Sequence, residues 1–586
     1  MVSSHVKDPR AEEQVRVTFA DREAAELLSG EISVLRRPGE NGFEQVKRNA
    51  SRTVYRGSVA GEPVYLKHYH GQSLAHRLRR MLSRSIAEKE MWFSQYLMSQ
   101  GVKTPRPLAA MRNGRTECFV SAEVAPAMSG DKWHLEQLAR GPDGQRAIRH
   151  MCVALAGLIA RMHSAGVIHR DLHCGNVLIP TDAEGQTRPV LTDLHRMKRR
   201  RHLSRRARAA NLAQLMHDRY PFTTRTERLR FLVHYLRISQ AEGTLRGWQR
   251  MVENFAWRHR RRQHARRDKR ILRRNRYFTP VKLADGWRGH VVLASKRQMA
   301  GSRAAQLVLR EEDWLSALAE PESLLKSDNV EVLKDSASSL VVRRRLRVGE
   351  HDLDVYIKRS RRKHFRRALV DCIRPSRAMK AFVHGHQLLT RRIATALPLA
   401  ALERRRGPVL LDSILITEAV EGRDLHAFLN KWLSPQPTTD TALTAPQQRQ
   451  LAQAVLWQLG RLLRRLHDNR FAHRDLKASN LLIRWSPPKR PEVVLIDLDG
   501  LRRVRRLTTR RRYQGLMRLN VSLLKCPVVN HAGRLRMLLG YLRRPGSPPV
   551  NFKPYWRVLE QWSARKLQRQ IRSRRRRQRE ARRPAG

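Results

Sequence analysis

Acidic side chains are in short supply in this chain: 52 Asp and Glu stand against 118 Lys and Arg, leaving a formal net charge of +66 over 586 residues. Such a field demands anionic company. Nucleic acid is one candidate, because neutralising phosphates drives its binding. The cytoplasmic face of an anionic membrane is the other, at about 1 kcal/mol for each nearby basic residue. Arginine runs on solvated helix faces account for part of the charge without any partner. The runs lie at residues 196–208, 258–276, 359–367, 502–512 and 565–583. Aromatics are only 6% of the chain and sparse in those runs, so no stacking platform for single strands is evident and nucleic acid ranks below the membrane. Cysteine is scarce too. The five thiols, Cys118, Cys152, Cys174, Cys372 and Cys526, lie far apart, without CxxC spacing or an even count. That argues against a disulfide framework or structural zinc and fits a reducing cytoplasm. No run of about 18 apolar residues occurs, so no transmembrane helix is expected. The opening stretch has no apolar segment of signal-peptide type, so no secretory leader is expected.

Against this background the chain spells one string twice: His169-Arg170-Asp171-Leu172-His173-Cys174-Gly175-Asn176 and His473-Arg474-Asp475-Leu476-Lys477-Ala478-Ser479-Asn480. Each is an HRDxxxxN pattern, and each is followed at the same distance by a second aspartate, Asp193 or Asp497. Phosphoryl transfer needs these types in this order: an Asp to orient the accepting hydroxyl, an Asn to hold a metal ion, and a further Asp to hold Mg²⁺ on the nucleotide phosphates. The match extends upstream to Arg161-Met162-His163 against Arg465-Leu466-His467. A later pair, RLRFLVHYLR ending at Arg237 and RLRMLLGYLR ending at Arg543, has slipped by two. A period this long marks a duplicated domain, since solenoid repeats run to roughly 20–50 residues. The chain has room for two domains with substantial cores. The expected organisation is an N-terminal tail over 1–25, kinase-like domains over 26–277 and 278–560, and a basic C-terminal tail over 561–586.

Ahead of the first loop, Ile148, Met151, Leu155, Leu158, Ile159 and Met162 recur at helical steps; Leu456, Leu459, Leu462, Leu463 and Leu466 do so ahead of the second. Short apolar runs follow each loop, and farther upstream Val64-Tyr65-Leu66-Lys67 and Val355-Tyr356-Ile357-Lys358 read as strands ending in lysine. The fold class expected is therefore α+β, two tandem protein-kinase-like domains, each with a small β-rich N-lobe and a helical C-lobe. In the first, Asp171 is the candidate catalytic residue, Asn176 and Asp193 the metal ligands, and Lys67 the phosphate-pairing lysine. Lys67 needs a carboxylate, and of Glu88 and Glu90 on a helix starting after Ser85, Glu90 is the choice. The second half keeps Asp475, Asn480, Asp497 and Lys358, and adds Lys477, a position that often contacts phosphate in kinases. Its equivalent helix has no acid: Ala381 falls where Glu90 sits, and Asp371 lies too early for the expected helix face. Either Asp371 or a residue from elsewhere substitutes, or the second domain is weakened or regulatory. Neither half has a GxGxxG phosphate loop. In its place stand Lys47 to Thr53 and Lys334 to Ser339, small polar turns whose backbone amides can still meet phosphates, with the basic residues adding charge. An A-P-E element is missing as well.

KRNASRTVYRG, VYLKHY, VIHRDLHCGNVLI and LTDLHRMKRRR in the first half, with LKDSASSLVV, FAHRDLKASNLLI and VLIDLDGLRRVRRL in the second, resemble the lipopolysaccharide core kinase family of heptose and Kdo kinases. The resemblance covers roughly residues 45–237 and 330–543. It implies ATP and Mg²⁺ as cofactors and phosphorylation of a sugar hydroxyl, on heptose or Kdo, of lipid-linked core oligosaccharide. It also implies a peripheral position at the cytoplasmic face of the inner membrane, which suits the charge. The readings weighed against it are a protein or small-molecule kinase, and a non-catalytic scaffold that binds nucleic acid or anionic membrane.

Overall fold

The structure is a computed structural model that describes residues 2–7, 14–49, 51–70, 85–113, 116–180, 188–219, 222–294, 308–326, 330–361, 374–433, 444–485, 491–526, 528–543 and 550–581. The chain divides into two compact units between Arg262 and Gln263.

The first unit opens with a seven-stranded antiparallel sheet. In spatial order its strands are Val2–Lys7, Gln14–Phe19, Pro107–Asn113, Thr116–Ala122, Glu62–Tyr69, Arg52–Val59 and Glu44–Arg48. Residues 1–25 were expected as a tail, and the structure corrects this. Gln14–Phe19 pairs in register with Pro107–Asn113, and Val17, Thr18 and Phe19 are buried. On the strand Glu62–Tyr69 the strand period of two buries Val64 and Leu66 and turns Lys67 to the opposite face. The helix Ile86–Ser99 starts where Ser85 and Glu88 cap each other reciprocally. Its Met91 and Leu97 are fully buried. The second part of the unit is helical. Gly141–Ser164 buries Ile148, Met151, Leu158, Ile159 and Met162 and leads into the short strand Val167–His169, which pairs with Met197–Arg199. The HRDxxxxN string follows, then the antiparallel pair Val177–Pro180 and Val190–Leu191.

The second unit repeats this connectivity strand for strand: Phe278–Lys282, Trp287–Val292, Pro398–Arg406, Val409–Glu418, His351–Ser360, Ser339–Val348 and Glu331–Ser336. The helices Arg377–Thr390 and Ala445–Asp468 take the places of Ile86–Ser99 and Gly141–Ser164. The two-residue slip in the sequence repeat has a structural reading. His163 Nδ1 lies 2.8 Å from the Tyr235 hydroxyl and His467 Nδ1 lies 2.9 Å from that of Tyr541, so each slipped helix still brings its tyrosine to the repeated histidine. The boundary expected at residue 561 is corrected as well. Helix Lys553–Ala581 runs through it, Leu559 is buried, and Ser563 accepts a hydrogen bond from Asn520 Nδ2 at 2.9 Å. Trp556 and Tyr555 also pack on the unit's core, and no helix among the described residues is long and apolar enough to cross a membrane.

Candidate active site

In the first unit the lysine strand, the helix and the loop of the second aspartate meet at Glu90. Lys67 Nζ lies 2.5 Å from Glu90 Oε1, the Leu194 amide donates to the same oxygen at 3.2 Å, and the Tyr69 hydroxyl donates to Oε2. Glu90 is only 1% exposed, and a buried carboxylate stands there because three donors replace its water. Burial, followed by the neighbouring Glu90 charge, holds the Tyr69 phenol well above its usual range, so it remains a donor. Glu88 is spent on the helix cap.

Asp193 sits beside this junction in left-handed backbone, φ 65° and ψ 46°, a conformation that costs an ordinary residue roughly 1–2 kcal/mol. Arg52, from the first residue of the neighbouring strand, holds both carboxylate oxygens: Nη1 bonds Oδ1, and Nη2 bonds Oδ2 at 3.1 Å. His195 Nδ1 lies 2.9 Å from Oδ1. Burial works to raise the pKa of Asp193, but His195, Arg52 and Lys67 outweigh it and hold the carboxyl below its ordinary range. Glu90, Asp193 and His195 bring ligand atoms within 4.8 Å of one another, although Glu90 is already engaged by its three donors.

The HRDxxxxN string is ordered from within. His169 Nδ1 accepts from the Asp171 amide at 3.1 Å, and Nε2 donates to the Thr192 carbonyl at 3.3 Å. Burial pushes the His169 pKa down, favouring the neutral ring, and the two hydrogen bonds select the tautomer with the proton on Nε2. Asn176 Nδ2 donates to the Asp171 carbonyl at 3.0 Å. The Asp171 carboxylate receives Arg196 Nη1 at 2.7 Å.

The second unit builds the same loop differently. His473 bridges the Asp475 amide and the Asp497 carbonyl at 3.2 and 2.8 Å, and Asn480 Nδ2 donates to the Asp475 carbonyl at 2.7 Å. Lys477 Nζ lies 3.1 Å from Asp475 Oδ2. Ala381 is buried on its helix, so no carboxylate comes from there; Asp371 lies outside the described residues. Lys358 instead reaches Asp499 Oδ2 at 2.7 Å and Asp497 Oδ1 at 3.3 Å. Burial would lower the Lys358 pKa, but Asp499 and Asp497 outweigh it and hold it above its usual value.

The structure thus brings Lys67, Glu90 and Asp193 together, and Lys358 to Asp497 without a helix carboxylate. Reasoning from sequence missed Arg52, Tyr69, His195, Arg196 and Asp499 as members of the site. Asp499 was discoverable as the only new acid next to Asp497; Arg52 carried no signal beyond its place in the polar turn. The expected use of that turn is corrected in part. Asn49 Oδ1 accepts from the amides of Ser51 and Arg52, both at 3.0 Å, so these two N–H groups are taken.

A sheet that supplies a lysine paired to a helix glutamate, and a helical part that supplies HRDxxxxN and a second aspartate, define a phosphotransferase of protein-kinase-like architecture. Comparison with known families makes this specific. The profile of the lipopolysaccharide kinase (Kdo/WaaP) family matches residues 41–235 and again 331–541, and the chain belongs to that family. Similar proteins include the lipopolysaccharide core heptose(I) kinase WaaP of Escherichia coli, 26% identical over 197 residues that make up 30% of this chain and 74% of that protein. The kinase of the same name from Pseudomonas aeruginosa is 29% identical over 199 residues, 32% of this chain and 74% of that protein. Among solved structures, WaaP in complex with acyl carrier protein covers 42% of this chain and 98% of its own at 23% identity and TM-score 0.33. The BubR1 kinase domain covers 33% and 49% at 13% identity and TM-score 0.22.

Proposed function

We propose that the chain is an ATP-dependent kinase of the lipopolysaccharide inner core, phosphorylating a hydroxyl of heptose or Kdo on lipid-linked core oligosaccharide. Its two units are then tandem kinase-like domains, of which the first is the catalyst. The observation that carries this reading is the Glu90 junction, which ties Lys67, the helix and the Asp193 loop together and has no counterpart at Ala381.

In this reading Asp171 orients the acceptor hydroxyl and takes its proton as the phosphoryl group arrives. Glu90 holds Lys67, which would pair with the nucleotide's α- and β-phosphates. Lys358 would do the same in the second unit, with Lys477 near the transferred phosphate. Asn176 with Asp193, and Asn480 with Asp497, are oxygen-only donor sets, which suit a hard divalent cation such as Mg²⁺. Bound there, Mg²⁺ would neutralise charge on the nucleotide phosphates. Because Lys358 leans on Asp497 and Asp499, the second unit's lysine competes with its own metal carboxylate, and this unit is read as supporting or weaker. The net charge of +66 suits phosphorylated, carboxylated glycolipid and a peripheral position at the cytoplasmic face of the inner membrane.

The test is Asp171→Ala and Asp475→Ala, separately and together, with labelled ATP and purified core oligosaccharide. Activity should vanish with Asp171→Ala and largely survive Asp475→Ala. Full turnover in the double variant would overturn the assignment, and label on added proteins but never on glycolipid would favour a protein kinase.

A further inference from the structure

Arg52 is the unexplained member of the first site. Its guanidinium covers both oxygens of Asp193 across a sequence separation of 141 residues, and each side chain is only 14% exposed. In the second unit the position is different. Strand register pairs Arg52 with Tyr69 and Val54 with Lys67, whereas Ser339 pairs with Ser360 and Val341 with Lys358. Ser339 is therefore the counterpart of Arg52, and Asp497 takes its cation from Lys358 itself.

Two physical facts make Arg52 more than a clamp. First, the turn before it has spent the Ser51 and Arg52 amides on Asn49 Oδ1, so this edge of the site has side-chain cations to offer a phosphate in place of those backbone donors. Second, a divalent cation on Asp193 would displace Arg52 and leave a largely buried guanidinium unpaired beside a dication, an expensive arrangement. A nucleotide's phosphates remove that expense, because the planar fork that fits a carboxylate fits a phosphate equally well.

We propose that Arg52 is a nucleotide-phosphate ligand that rests on Asp193 and changes partner when nucleotide and cation arrive together. Bare cation is thereby excluded from the first unit, and metal and nucleotide bind with positive coupling. The proposal rests on the reading of Asp193 as the metal carboxylate.

The experiment measures binding, with Mn²⁺ as the cation and ADP as the nucleotide, on the full chain carrying Asp497→Ala so that titrations report the first unit. Mn²⁺ alone is followed by electron paramagnetic resonance of the free ion, and Mn-ADP by calorimetry. Arg52→Ala should bind Mn²⁺ alone about tenfold more tightly and Mn-ADP about tenfold more weakly. These opposite signs are the signature. An arginine that only holds the fold would weaken both, a purely inhibitory clamp would strengthen both, and no change in either would remove Arg52 from the site; each of these overturns the proposal. Arg52→Lys keeps the charge without the fork and should show the same signs at smaller amplitude, which provides the reading should Arg52→Ala not fold. Asp193→Ala separates the two levels: if it leaves Mn-ADP binding intact, the metal assignment fails, whatever Arg52 does.

Discussion

At the scale of single residues, Glu90 is the side chain on which the first candidate site converges. Its two oxygens receive Lys67, Tyr69 and the Leu194 amide in a place with almost no solvent. Glu90→Gln keeps the size and puts an amide donor where a carboxylate oxygen now faces donors, leaving Lys67 without its counter-charge. Nucleotide affinity should fall about 10- to 100-fold and kcat with it, read from ATP titrations of initial rate. Unchanged kinetics would mean that Lys67 is held by something else. The same change cannot be made in the second unit, where Ala381 already stands. There Lys358 pairs instead with Asp499, two residues beyond Asp497 in the chain, at 2.7 Å.

At the scale of elements, the two units share a helix pair closed by a buried histidine and tyrosine. Burial lowers the pKa of His163 to about 4 and that of His467 to about 3, with Arg208 adding to the effect in the first case and Arg512 and Arg464 in the second. The unfolded imidazole titrates near 6.5 and so binds protons that the folded ring refuses. The resulting stability is complete above about pH 6.5 and is lost progressively as pH falls towards about 4 and 3, on the order of a few kcal/mol per histidine. Thermal unfolding midpoints should therefore drop between pH 7 and 4.5, and His163→Gln should flatten the part that belongs to the first unit. A second prediction concerns Gly460 in the helix Ala445–Asp468. A Cβ there would lie 2.0 Å from the Met537 carbonyl oxygen and 2.6 Å from the Tyr541 nitrogen, backbone atoms that cannot step aside. Gly460→Ala should force the helices Ala445–Asp468 and His531–Leu542 apart and cost roughly 1–3 kcal/mol, lowering the unfolding midpoint of the second unit and sparing nucleotide binding by the first.

At the scale of the whole molecule, charge is the dominant property. With 118 basic against 52 acidic residues, adsorption to anionic vesicles should be strong at about 50 mM salt and largely lost by about 500 mM, as counter-ions screen the surface. Sedimentation with vesicles of neutral and anionic composition measures this; equal binding to both would show that charge is not what brings the protein to lipid. The duplication gives this scale its second property, two units of identical strand order with unequal sites.

Much of that inequality was readable in one dimension. HRDxxxxN, the spacing to Asp193 and Asp497, the lysines at the strand ends, and the lack of an acid around Ala381 are local or periodic, and local pattern survives without a fold. The partner of Lys67 could be narrowed to Glu88 and Glu90 on one helix, and Glu88 is taken up by the helix cap. The strands Val2–Lys7 and Gln14–Phe19 were not readable, because such strands are defined by the partners they pair with, here each other and Pro107–Asn113. Nor was the partner of Asp193 or the rescue of Lys358 by Asp499. Which cation meets which carboxylate is decided by distance and burial after the sheet and the loops have come together, and in a chain so rich in arginine the sequence offers far more candidate partners than the folded site can admit.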